Sequence, residues 1–378
     1  MKNGESFPDE YMIKTNPSYE WKHYKFPRGE LTKLGRLTMY EAGENLRHWY
    51  PEFLSRSYVT KHLVKVTAVG SKFTVNSRES ALIVRAALRQ KNKKHSLKRK
   101  WSTRKLASTR NDEFTNAASD YYLKCKEYRP AQNKALYDSL ITKFKNDSGF
   151  GGLWRALQEN TKADLDYNNL SKLQYLFELY ETSELSGIGF PHWLHNNKWY
   201  TYYELMREYV NASYSTDYLK TVAGGRMLQY FIDRMDDKLN GKLEPCDTRM
   251  LVNVGYGKTV SPFLAALGGS KGFTHSYEVA SIEPEKNETV VNVTVNSFRP
   301  FHGGMVIVEA HQLDNDKDFW LRVFVSGSTS SPIEELKIND CTYPCSYQKL
   351  KEKLQSSQLA VNMQDWLKAC NIGSSWKK

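Results

Sequence analysis

The stretch "NVGYGKTVSPFLAALGG", residues 253–269, decides how the chain is read. Gly257-Lys258-Thr259 followed by an apolar run looks like half of a nucleotide-binding loop. The spacing excludes it: a phosphate-wrapping loop needs a glycine five residues before the Gly-Lys pair, and position 252 is Val. A loop leading into a helix remains, and its meaning has to come from the rest of the chain.

With 378 residues and 13% aromatics, the chain can build one large two-layer domain with an inserted subdomain, or two domains. No apolar run reaches the roughly 18 residues of a membrane span. The opening "MKNGESFPDE" lacks the apolar segment of a leader, which leaves a cytosolic chain or a mature secreted one. Asn-x-Ser/Thr sequons at Asn146, Asn169, Asn211, Asn287 and Asn292 favour the secreted form, as do the cysteines. Cys341 and Cys345 are close enough in sequence to close a small loop, but their spacing suits neither zinc nor a redox pair. No metal or cofactor motif is present.

The net charge of +12 suggests anionic partners. Eleven of the Lys and Arg residues fall between Arg85 and Arg110, including "QKNKKHSLKRK". A solvated loop is the plain reading, because Trp101 is the only aromatic there to stack on a base. Contact with a polyanion such as heparin is the alternative, and specific nucleic-acid recognition is not indicated.

Residues 31–50 read as an amphipathic helix with Leu34, Thr38, Ala42, Leu46 and Trp49 on one face. "LVKVTAV" (63–69) reads as a strand and "SRESALIVRAALRQ" (77–90) as the helix behind it. Residues 111–222 are helical in pattern, and "AGGRMLQYFIDRMDDKL" (223–239) begins another helix with Met227, Phe231 and Met235 in a stripe. "ETVVNVTVNSF" then alternates, with Val291, Val293 and Val295 on one face, and "GGMVIVEAH" and "FWLRVFVSG" continue as strands. The order predicts an α/β domain, residues 1–110 and 223–378, split by a helical cap over 111–222.

In sequence order, these segments resemble the histidine acid phosphatase family over nearly the whole chain. "GELTKLGRLTMYEAGENLR" is similar to its Gly-Gln-Leu-Thr helix start, and "SRESA" to its Arg…Ser-Ala segment, with Arg78 as the phosphate-binding arginine. "GFPHW" resembles its cap anchor, "AGGRM" its Gly-Gly helix start, and "INDCTYPCSYQKL" its C-terminal cysteine turn. The resemblance implies a central mixed sheet with flanking helices and an inserted cap. It also implies the bridges Cys341–Cys345 and Cys125–Cys370, leaving Cys246 over as a small buried hydrophobe.

The opening stretch then stands where the family has His-Asp-Thr-Thr-Leu, with Tyr256 at the His and Gly257 at the Asp. "KNGESFP" (2–8) stands where the family has Arg-His-Gly-x-Arg-x-Pro: Lys2 replaces the first Arg, Asn3 the nucleophilic His and Ser6 the second Arg. An amide nitrogen has no free electron pair for phosphoryl transfer, and glycine has no proton for a leaving alcohol. Lys2 is a weaker, non-bidentate stand-in for arginine. The expectation is a chain without phosphatase activity whose cleft persists.

Such a cleft offers Glu5, Asp9 and Glu10 as carboxylates for an ammonium, and Tyr11, Trp193 and Tyr256 as rings for cation–π contact. Core packing is an equally good reading of Trp193, and a solvated loop charge the plainer reading of Glu5 or Asp9 alone. The sequence is similar to the catalytically degraded acid phosphatase-like proteins of flea saliva, which sequester biogenic amines such as serotonin and also cysteinyl leukotrienes. By that resemblance the chain is expected to be a secreted salivary binder, with Lys2 and Arg78 suited to leukotriene carboxylates and Asn3 among the ligand-binding residues. A residual or altered phosphatase using Arg78 is the alternative.

Overall fold

The computed structural model describes residues 1–16, 29–54, 63–69, 75–89, 114–115, 125–146, 148–165, 170, 172–185, 187–194, 198–269, 272–281, 289–312, 318–338, 341 and 345–371. The basic run beyond residue 89, Trp101, Asn169 and Asn287 lie outside the described residues, as do the side chains of Tyr11, Asn146, Val291, Asn292, Val293 and Val295.

A parallel three-stranded sheet, a two-stranded hairpin and an antiparallel four-stranded sheet form the body. Strand β1 (Val64–Val69) pairs in parallel with β2 (Phe114–Thr115) and with β3 (Met250–Val254), Val66 opposite Val252. A hairpin of β4 (Phe273–Ser281) and β5 (Thr289–Ser297) follows. Then β6 (Met305–His311) runs antiparallel to β7 (Trp320–Ser326), which also pairs with β8 (Glu334–Leu336) and β9 (Cys345–Ser346). Residues 1–3 bridge the two halves. Lys2 pairs with Gly255 just past β3, and its N–H donates to Gly304 O at 2.8 Å, ahead of β6. The N-terminal segment thereby satisfies backbone groups beside both β3 and β6.

Helices flank the sheet. Helix α1 (Glu10–Thr15) is short; α2 (Lys33–Trp49) and α3 (Val75–Leu88) pack against each other on one face. The cap comprises α4 (Tyr128–Asn146), α5 (Ser148–Asn160), α6 (Lys172–Leu185) and α7 (Lys198–Ser213), with its own core of Leu153, Leu176, Phe177, Tyr180 and Tyr202. Then come α8 (Asp217–Leu239), α9 (Gly257–Leu267), α10 (Tyr347–Ser356) and α11 (Met363–Ala369). The bridges Cys125–Cys370 and Cys341–Cys345 are formed, and the first ties the start of the cap to the C-terminal helix.

Three expectations need correcting. Helix α8 begins at Asp217 rather than at Ala223, because Gly224 and Gly225 are its contact surface rather than its start. A Cβ on Gly224 would lie 2.3 Å from Pro262 O of α9, so only glycine lets these two helices approach. The buried face of α2 is Gly35, Met39, Ala42, Gly43 and Leu46, whereas Leu34 is 41% exposed. The glycines turn that face inward by close backbone approach, which a count of apolar residues does not register. Cys246 is exposed rather than buried.

Two predictions follow from this packing. Gly35→Ala would push a Cβ to within 2.0 Å of Glu5 O, and chemical denaturation should register a loss of at least about 1–3 kcal/mol. Asn211, a sequon residue, uses Oδ1 to accept from Phe298 N at 3.4 Å, and its partner Ser213 is 2% exposed with its hydroxyl on Tyr209 O. Glycopeptide mass spectrometry of secreted protein should find Asn211 unmodified; a glycan there would show that the α7–β5 packing is not as described.

Candidate functional site

The two loops singled out in the sequence meet at the C-terminal end of β3. Asn3 N–H donates to Gly255 O at 2.7 Å, and Gly255 N–H to Met1 O at 3.0 Å. Gly4 continues the turn against α2, where a Cβ would come within 2.3 Å of Gly35 O. The Lys2 side chain passes Gly257 closely: a Cβ there would be 3.7 Å from Lys2 Cε. Asn3 is buried, with its amide donating to Gly4 O. Position 3 thus presents no lone pair for attack, and position 257 no acid.

Tyr256 caps the approach to α9. Its hydroxyl donates to Asn76 Oδ1 at 2.6 Å, and Lys258 Nζ lies 5.0 Å from its ring centroid, a cation–π contact. Asn76 also donates to Ser6 Oγ at 3.4 Å, so Ser6, Asn76 and Tyr256 draw the N-terminal loop, α3 and α9 together. Arg78 is half-buried in the first turn of α3.

The other expected residues serve the fold. Glu5 is 1% exposed and accepts from Thr32 Oγ1 at 2.7 Å, while Thr32 accepts from Gly35 N and so caps α2. Asp9 caps α1 by accepting from Met12 N, and Glu10 pairs with Lys14 on the surface. Trp193 packs edge-on to Tyr180, centroids 6.0 Å apart, against the cap core.

The charges that do line the interface between cap and body lie elsewhere. Glu181, on the cap helix α6, points at the body, and its Oε2 is 3.7 Å from Lys2 Nζ, in contact with the Arg299 guanidinium and 3.9 Å from His302 Nε2. All four side chains are at most 15% exposed. Burial alone would raise the Glu181 carboxyl, but Arg299, then Lys2 and His302, outweigh it and hold it at about 2. Burial lowers Lys2, with Glu181 opposing. His302 donates through Nδ1 to Asn3 O at 2.9 Å, which leaves the neutral ring's lone pair on Nε2. Burial, followed by the Lys2 charge, brings His302 down to about 3. One turn earlier on α6, Glu178 is half-buried, accepts from Gln174 at 2.9 Å, and is raised by burial, with Lys258 and Lys2 opposing.

Sequence reasoning missed Glu178, Glu181, Arg299 and His302. The available signals were two carboxylates three apart within the mostly apolar "YLFELYETSEL", and an Arg and a His set among Pro300, Gly303 and Gly304 between strands. Among the described residues no group of three or more His, Cys, Asp or Glu could hold a metal ion, and no helix is long and apolar enough to cross a membrane.

With this geometry in view, the comparisons with known proteins give the family. The sequence profile of the histidine phosphatase superfamily (branch 2) matches residues 2–326, and the chain belongs to that family. It is similar to "Putative acid phosphatase 5" of Caenorhabditis elegans, 22% identical over 217 residues, 57% of this chain and 44% of that protein. It is also similar to "Venom acid phosphatase Acph-1" of Apis mellifera, 26% identical over 255 residues, 64% of this chain and 60% of that protein. The chain thus spans less than two thirds of the length of these relatives. Among solved structures it resembles the Citrobacter braakii phytase (TM-score 0.61, 13% identity, 96% of this chain and 98% of that one). It likewise resembles Hafnia alvei phytase in complex with tartrate (TM-score 0.62, 13% identity, 98% of this chain and 96% of that one). At such identity these last two establish the fold alone.

The buried cluster makes stability acid-sensitive. His302 is lowered from 6.5 to about 3, so the unfolded chain binds its proton first and stability falls as pH drops from 6.5 towards 3. Glu181, lowered from 4.5 to about 2, contributes stability above 4.5 that is lost towards 2. Urea titrations between pH 7 and pH 3 should therefore show progressive loss, with a shallower slope in His302→Asn. Glu181→Ala, which leaves Lys2 and Arg299 buried without their anion, should cost about 3–5 kcal/mol at neutral pH.

Proposed function

We propose that this acid phosphatase-like protein is a secreted binder of small mediators rather than a phosphatase, and that its ligands occupy the cleft between cap and body. The observation that carries this reading is the pairing of Asn3 with Gly257 at the junction of the two loops. One cannot accept a phosphoryl group and the other cannot protonate a leaving group, while the surrounding turns remain packed. Of the local cations, Lys2 and Arg299 are engaged by Glu181, which weakens the pocket's hold on a phosphate. Glu178 supplies a half-exposed carboxylate for an ammonium, and Tyr256 an aromatic face. An aromatic amine such as serotonin fits those parts. Micromolar binding needs about 8 kcal/mol in all, more than one ion pair and one ring provide, so burial of the ligand's ring must supply the rest. Cysteinyl leukotrienes, with carboxylates as well as an amine, would add Arg78 and Lys258. Secretion is in keeping with the disulfides and with the venom acid phosphatase among the relatives.

Calorimetric titration with serotonin should give saturable one-to-one binding that Glu178→Gln weakens by about 1–2 kcal/mol. Because burial raises the Glu178 carboxyl, the ion pair is absent at acidic pH and forms as the pH rises through that raised value; affinity should climb with pH in the parent and stay flat in Glu178→Gln. No heat at high micromolar amine would remove the amine version.

One observation favours a second reading, an altered phosphohydrolase. His302 brings a neutral imidazole to Asn3, with Nε2 carrying the lone pair. Its Nε2 faces Glu181, however, which blocks the approach of an anionic phosphate. Assay with an aryl phosphate at acidic and neutral pH decides the matter: turnover above background that is lost in both His302→Asn and Arg78→Ala would replace the binding-protein reading with this one.

A further inference from the structure

The nitrogens around Glu181 are set in place by the body, not by the carboxylate they meet. Lys2 is pinned through its backbone, donating to Gly304 O and accepting from Gly303 N, while its Nζ donates to Pro300 O at 3.2 Å. Arg299 has its N–H on Ser297 Oγ, and its guanidinium carbon lies 5.8 Å from the Phe301 ring centroid. The His302 ring is held by Asn3 O. Three nitrogen-bearing side chains from the N-terminal segment and from residues 299–302 therefore converge on a single point, which one oxygen from the cap occupies. The fit of that oxygen is incomplete. Glu181 Oε2 meets all three groups, but Glu181 Oε1 is buried with no hydrogen-bond partner among the described residues. A planar carboxylate offers two oxygens on one carbon; a tetrahedral anion offers four, so the nitrogens that now share Glu181 Oε2 could each meet an oxygen of their own.

We infer that the pocket holds a built oxyanion site which its own cap occupies: Glu181 stands where a phosphate-like anion would bind, and free tetrahedral oxyanions enter only when that carboxylate is withdrawn. Lys2 and Arg299 share the Glu181 carboxylate, with Glu178 one turn away also acting on Lys2, and a further anion cannot join without repelling Glu181 at close range in a low-dielectric site. Phosphate is preferred over sulfate, because a protonated phosphate oxygen can donate to His302 Nε2 and sulfate has no proton to give. The contact also fastens α6 to the body, so the same side chain closes the cap and excludes the anion. The inference rests on the cleft being the ligand site proposed above, but an amine that fails to bind leaves it untouched.

The test is inorganic phosphate, read by calorimetry and by the shift in melting temperature, on three proteins. The parent should show no saturable binding at millimolar phosphate. Glu181→Gln, which keeps the shape and removes the charge, should bind at least about tenfold tighter than the parent and be stabilised in proportion. Glu181→Gln combined with Arg299→Gln should lose the gain. If Glu181→Gln does not fold, Glu181→Asp, which draws the carboxylate back by one methylene, should show the same gain in smaller degree. Equal phosphate affinity in parent and variant, or a gain that survives removal of Arg299, overturns the inference. So does sulfate binding as tightly as phosphate, as regards the role of His302.

Discussion

The contact on which the rest turns is a carboxylate from the cap lodged among the buried amine and guanidinium of the body. Transferring ions out of water costs several kcal/mol each, and only close pairing recovers it. Glu181 supplies a negative charge that Lys2 and Arg299 share, and their combined field outweighs its own burial. The remaining imbalance is relieved on the basic side, where Lys2 is lowered and His302 stays neutral. Because Glu181 is on α6 and its partners are on the N-terminal segment and the turn before β6, the same interaction decides how the cap seats on the sheet. In the proposed reading it also sets the charge that an incoming ligand meets.

That arrangement bears on what the pocket can do. Phosphoryl transfer asks for a concentrated positive field, a nucleophile aimed into it and a proton for the leaving oxygen. In the proposed reading the field is spent internally, position 3 carries an amide and position 257 carries nothing beyond its backbone. His302 supplies an electron pair but directs it at a carboxylate, a poor direction from which to meet another anion. In the proposed reading Glu178, one turn away and half-buried, is the carboxylate that an ammonium would meet, with Lys258 and Lys2 also acting on it.

Much of the fold was legible in the sequence. β1, α2, α3 and β5 to β7 stand where the sequence placed them, and β7 shows the alternating burial of a period-2 strand, although α2 buries a glycine-lined face that its apolar spacing did not indicate. The segments of family resemblance carried the order of the pieces, and the histidine phosphatase family is confirmed over residues 2–326. The site was less legible. Glu5 and Asp9 look like free carboxylates in a list of nearby residues, yet one serves the start of α2 and the other caps α1. The buried charges that matter come from positions 2, 181, 299 and 302, and only the folded chain joins them. No local pattern encodes a contact between residues more than a hundred positions apart.

The residues that specify this fold and those that would specify chemistry are largely separate sets. Gly4 against Gly35, Gly43 against Ala87 and Gly224 against Pro262 set how closely helices and loops approach, and a side chain at any of them would collide with backbone or a neighbouring Cβ. Positions 3 and 257 are under no such constraint: Asn3 fits where it is by hydrogen-bonding its own turn, and a Cβ at Gly257 would make only ordinary contact with Lys2. The close approaches that hold the scaffold therefore do not dictate which residues stand at those two positions. In the proposed reading the nature of the guest is then left to the surrounding charges, above all to whether Glu181 holds the place of an anion.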